Sequence, residues 1–138
     1  MTVSVSMGPV EGSADGPRQS VTFVRGQRVI VECSQDWCTV DHKTRDERFF
    51  EDISHMSESV SVSAPVGLGH RREDILEGFL VETPFAAGPR GPRPVFAFDA
   101  TGSGEFAELS KHQARAELDR IAAHIDRLRH IVDAMPDA

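Results

Sequence analysis

A chain of 138 residues has room for one domain and is too short for two well-packed ones. Hydrophobic residues make up 39%, with 7% aromatic and no tyrosine, so the core must be modest in size and built from Val, Ile, Leu, Ala and Phe. The formal net charge of -7 argues against a nonspecific grip on nucleic acid, which needs a concentrated basic surface to displace counterions, and leaves a basic partner surface or plain solubility as its role.

Residues 1–19 combine Gly8, Pro9, Gly12, Gly16 and Pro17 with small polar residues, too little apolar content to fold alone. They are expected as a flexible tail ahead of a single domain over 20–138. The N-terminus has no basic n-region and no long apolar core, and nowhere does the chain offer the roughly 18 consecutive apolar residues of a membrane span. The reading is cytoplasmic, without membrane contact, a compartment that keeps thiols reduced.

Residues 20–24 and 28–32 are β-branched, partly alternating runs around the turn Arg25, Gly26, Gln27, which predicts a hairpin delivering the chain straight into Cys33. From there the pattern is Cys33-x4-Cys38-x3-His42-x12-His55, four thiol and imidazole ligands within 23 residues, holding both cysteines of the chain. Thiolate and imidazole together complete the tetrahedral shell that zinc prefers, and a shell closed by four protein ligands is structural rather than catalytic. A putty-like alternative for the same residues is a reduced pair packed as small hydrophobes; another is a reversible Cys33/Cys38 disulfide acting as a thiol redox sensor. Asp41 has two readings, an acceptor orienting the His42 ring or the cap of a turn.

Residues 39–52 are rich in charge of both signs and read as a solvated loop or short helix, with Phe49 or Phe50 turned inward. Glu47 and Glu51 share i, i+4 spacing, but exposed helices carry such pairs routinely. Residues 58–64 alternate Val60 and Val62 with serine, the period of a strand buried on one face, with His55 just before it. Arg71 and Arg72 form a weak anion cue on a turn. Residues 75–82 are apolar enough for a strand in which Gly78 marks a bulge or a close backbone approach. Residues 84–94, rich in Pro and Gly, are a connection to a last strand over 94–99, and Gly102 to Gly104 lacks the glycine and lysine of a phosphate loop.

The C-terminal helix, expected over about 111–135, opens at Ser110 with Gln113 three residues on, a capping box. Leu118, Ile121, Ile125, Leu128, Val132 and Met135 follow in steps of three and four, a seam short for an isolated coiled coil. Ala114, Ala122 and Ile131 widen it, which favours a helix lying on the domain's own sheet over self-association or a partner helix.

The run from Cys33 through Trp37, Cys38 and Asp41 to His42, with His55 before a strand and a closing helix after Ser110, resembles an uncharacterised family of small actinobacterial proteins. That family, a domain of unknown function, shares a Cys-Pro-x-Trp-Cys, His, His pattern and a helix opened by a Leu-Ser or Leu-Thr cap. This chain has Ser34 where proline is usual and one more residue between the cysteines. The resemblance supports the ligand set and the fold outline and implies no biochemical role.

The expected molecule is an α+β domain: a small, mainly antiparallel sheet, a zinc-knuckle insertion and one long C-terminal helix. Its expected function is that of a non-enzymatic, zinc-stabilised binding or regulatory module, with Leu118, Ile121, Ile125, Leu128 and Val132 as candidate partner contacts. A zinc hydrolase, the remaining class, would need His55 to be a false ligand and Glu51 or Asp52 to serve as base.

Overall fold

The computed structural model describes residues 3–5, 18–33, 35–86 and 93–137. Its architecture is α+β, with nine strands in two sheets and one long helix among these residues. The expected hairpin forms: β2 (Arg18–Val24) and β3 (Gln27–Cys33) pair antiparallel from Arg18↔Cys33 to Val24↔Gln27. Its two turn residues, Arg25 and Gly26, have φ of 52° and 75°, the left-handed pair whose twist matches that of the flanking strands. β1 (Val3–Val5) adds to β3 in parallel and β4 (Asp46–Glu47) to β2, completing the first sheet in the order β1-β3-β2-β4. The N-terminal residues therefore depart from the expected tail at both described ends, since 3–5 form a strand and β2 begins at Arg18. Residues 6–17 lie outside the described set.

The second sheet runs β5 (His55–Met56), β7 (Arg72–Glu82), β8 (Val95–Asp99), β9 (Ala107–Leu109), with β6 (Val60–Pro65) also on β7. All its pairings are antiparallel. Residues 87–92, the middle of the expected 84–94 connection, are outside the described set. β6 corrects the sequence reading: Val60 and Val62 are 68% and 50% exposed, because β6 pairs at the edge of the sheet and gains backbone bonds without apolar cover. Period-two alternation reports a strand, but not that a second layer exists to cover it. The arginine cue nearby is absorbed locally, Arg71 pairing with Glu73 and Arg72 donating to the Ser63 hydroxyl and carbonyl.

Gly78 fulfils both expectations placed on it. The β6–β7 register shifts between Val60↔Gly78 and Val62↔Ile75, and within that bulge Leu76 takes a φ of 53°, its N–H donating to the Ala100 carbonyl at 3.2 Å. The Phe96 ring of β8 lies where a Gly78 Cβ would stand. The loop following β8 is organised by Asp99, whose buried carboxylate accepts the amides of Thr101, Gly102 and Gly104 at 3.2, 3.1 and 2.8 Å. These amides, that of Gly104 foremost, hold the Asp99 carboxyl below its ordinary range against the opposing effect of burial. A folded value below the unfolded one means that the contribution is full above the ordinary aspartate pKa and is lost as pH falls through the folded value. Asp99→Asn is accordingly expected to melt below the parent at neutral pH, with the gap narrowing in acid. A gap that stays constant in acid would show that the charge plays no part.

The core proper is small. Val29 and Val31 of β3 pack with Ile53, and half-buried Val24, Phe50 and Phe85 close around them. Phe50 is the inward member of its pair, its ring 4.5 Å from that of Phe85, while Phe49 lies exposed beneath the guanidinium groups of Arg25 and Arg48. The charged stretch around them folds as two single-turn 3-10 helices, His42–Thr44 and Phe50–Asp52.

α1 (Lys111–Asp133) opens with the expected capping box, Ser110 and Gln113 each hydrogen-bonding the other's backbone N–H. Its packing overturns the expectation that it lies along the sheet. Only its first turns meet β8 and β9: Ala114 is buried, Ile121 is half-buried, and every residue from Ala122 to Asp137 is exposed. The sheet is too short to support more, for β8 spans five residues and β9 three, against 23 in the helix.

Candidate metal centre

The four residues singled out by spacing come together. Cys33 is the last residue of β3, Cys38 follows a turn in which its N–H donates to the Gln35 carbonyl, His42 opens a 3-10 turn, and His55 begins β5. The donor atoms of all four lie within 4.8 Å of one another. Cys33 Sγ is 3.5 Å and Cys38 Sγ 3.4 Å from His55 Nδ1, and Cys38 Sγ is 3.8 Å from His42 Nε2. Metal–sulphur and metal–nitrogen bonds of about 2.3 and 2.0 Å, set tetrahedrally, give ligand–ligand edges of about 3.3–3.8 Å, so these separations suit a zinc-sized ion. All four side chains are buried, from 6% exposed for the cysteines to 0% for His55. The additional residue between the cysteines does not prevent the cluster from closing.

The donor chemistry also fits a cation. The hydrogen bond with Cys38 and then burial push the Cys33 thiol far above its ordinary range. That same bond, helped by His42 and His55, pushes Cys38 far below it. A divalent ion held by this cluster would replace the thiol protons and leave both sulphurs as thiolates. The backbone amides of Gln35 and Val40, each two residues beyond its cysteine, favour the thiolate forms.

Three neighbours that the sequence reading did not single out complete the surroundings. Arg18, paired with Cys33 across the hairpin, extends Nη2 to Cys33 Sγ at 3.7 Å and to the Gln35 and Cys38 carbonyls at 3.2 and 3.3 Å. One guanidinium therefore ties β2 to the whole knuckle and places positive charge beside the sulphurs. Glu82, buried and paired with His55 in the sheet, accepts from Gln35 Nε2 at 2.6 Å. Thr39 N–H donates to the Met56 carbonyl at 2.9 Å, so the knuckle also holds β5 through its backbone. Only the hairpin register could have pointed to Arg18, and nothing local marks Glu82. Asp41 proves to be a cap, its carboxylate accepting the Lys43 N–H at 3.2 Å. Arg18→Ala is expected to weaken metal binding by about ten- to a hundredfold, as loss of a supporting hydrogen-bond partner does elsewhere. Competition with a chromophoric chelator measures this, and unchanged affinity would show that the backbone alone shapes the knuckle.

The residues proposed for partner contact fall elsewhere. Leu118 lines a groove of about 380 Å³ with Trp37, Leu80 and Phe96, whereas Ile125, Leu128 and Val132 are exposed along the free part of α1. Among the described residues no other group of His, Cys, Asp and Glu has metal-binding geometry, and no helix is long and apolar enough to cross a membrane.

Fold and site together define a small α+β domain whose two sheets meet at a buried Cys2His2 cluster able to hold a metal ion. By family, the chain belongs to the Domain of unknown function (DUF6907), whose model matches residues 19–137. No curated protein and no solved structure matches it.

Proposed function

We propose that the protein is a non-enzymatic binding or regulatory module whose fold is held by a structural zinc ion on Cys33, Cys38, His42 and His55. The observation that supports this most directly is the burial of all four donors at tetrahedral spacing, which leaves no ligand position for a substrate or an activated water. Glu51 and Asp52, the carboxylates a hydrolase would have to recruit, are exposed on a 3-10 turn. The ion would join the end of β3 in the first sheet to β5 in the second, a crosslink that the small core needs.

Elemental mass spectrometry on freshly purified, reduced protein tests the reading, since it also separates zinc from iron. About one zinc per chain is expected, falling sharply in His55→Ala. Metal-free protein under reducing conditions would overturn the structural-zinc reading and leave the thiol pair as the feature to explain, by titration before and after mild oxidant.

A further inference from the structure

We propose that α1 is a dimerisation element, pairing antiparallel with α1 of a second copy so that the second copy's Met135 enters the groove beside Trp37. The free part of the helix is the first reason. Ile125, Leu128, Ile131, Val132 and Met135 are 38% to 67% exposed on a segment that receives no support from its own domain. A helical segment of about 12 residues is marginal alone in water, and a contiguous exposed apolar stripe marks an association surface.

The seam's own order suits a second copy as occupant. Leu118, Ile121, Ile125, Leu128, Val132 and Met135 are separated by steps of three, four, three, four and three, which read the same from either end. A two-fold axis between Ile125 and Leu128 therefore sets Ile125 against Leu128, Ile121 against Val132 and Leu118 against Met135, each pair occurring twice. An isologous interface requires this self-complementarity. The seam spans about 26 Å at 1.5 Å per residue.

Charge and shape decide the direction. In a parallel pair the flanking positions would bring Glu117 to Ala122 and His124 to Arg129, neither of them attractive. Run antiparallel in this register, Asp137 of one helix comes opposite position 116 of the other, beside Arg115, and Asp133 comes opposite Arg120. Arg115 forms no ion pair among the described residues, and Arg120 has an exposed one with Glu117 on its own helix. Lys111 and Arg115 also border the groove of about 380 Å³ whose apolar walls are Trp37, Leu80, Phe96 and Leu118. This groove continues the seam at the point where the second copy's Met135 arrives. A methionine suits it, being flexible and favourable against aromatic rings. The inference rests on α1 and the groove and does not depend on the identity of the metal.

Sedimentation velocity of the full chain over a concentration series tests it. A reversible monomer–dimer equilibrium is expected. Ile125→Asp and Leu128→Asp, both exposed in the protomer and so compatible with its fold, should each weaken association by about a hundredfold, because each change enters the dimer twice. A retained cooperative thermal transition would show that each variant protomer is folded. Arg115→Asp and Asp137→Arg should each weaken association by about two- to tenfold, and the two together should recover it. A monomer at every concentration, with or without another protein's helix bound to the seam, would overturn the proposal. So would a dimer indifferent to Ile125→Asp, or a charge swap that recovers nothing.

Discussion

If the proposed zinc occupies the Cys2His2 cluster, its chelation is expected to abolish the cooperative thermal transition of this protein, not merely to lower it by a few degrees. A structural zinc site contributes on the order of 10 kcal/mol or more, comparable with the whole stability of a small domain. Here that contribution falls beside a small apolar core. The buried apolar cluster is Val29, Val31 and Ile53, and the link between the two sheets runs through Cys33 on β3 and His55 on β5. Circular dichroism through a thermal ramp, with and without a strong chelator, measures the effect, and the fluorescence of Trp37, the only tryptophan, reports the knuckle directly. An unchanged transition after verified metal removal would show that Gln35–Glu82, Thr39–Met56 and the Arg18 contacts suffice. Acid should act in the same direction as the chelator. Both sulphurs must be thiolates for the ion to bind, so affinity falls as pH falls and the site empties on acidification.

Gly78→Val is expected to destabilise the domain by about 3 kcal/mol or more, the upper range of overpacking changes. Gly78 is buried in β7, and an added Cβ would occupy the space of the Phe96 ring, a rigid group with no flexible end to withdraw. Phe98 stacks on the ring at 5.7 Å between centroids, which limits its tilt on that side. The backbone cannot shift easily either, since Leu76 is already held in its left-handed bulge by the Ala100 carbonyl. Urea denaturation gives the loss, and pairing the change with Phe96→Leu should recover part of it. Unaltered stability in Gly78→Val would mean that β8 can slide away from β7 at this point.

The elements that were legible in the chain are those written in local chemistry. The β2–β3 hairpin follows from two β-branched runs about a turn with glycine, and the start of α1 from Ser110 and Gln113. The four ligands were legible because thiol and imidazole chemistry is scarce in this sequence, so few combinations compete. By contrast, β1 and β9 span three residues each, and β4 and β5 two each, too short for any periodic signal. They exist because a longer neighbour offers free backbone groups.

Residue type and spacing alone were enough to specify which side chains are suited to bind a metal, where one hairpin turns and which face of α1 is apolar, since each depends on groups a few positions apart. What lies opposite those groups was decided only on folding. Packing left Val60 and Val62 without cover, carried Arg18 from the expected tail to the sulphurs, and buried Glu82 beside His55. It also stopped the sheet after the first turns of α1, so that an apolar seam readable as core became surface. Burial and partnership are properties of pairs distant in sequence, and a local pattern carries the tendency to be covered without naming what does the covering.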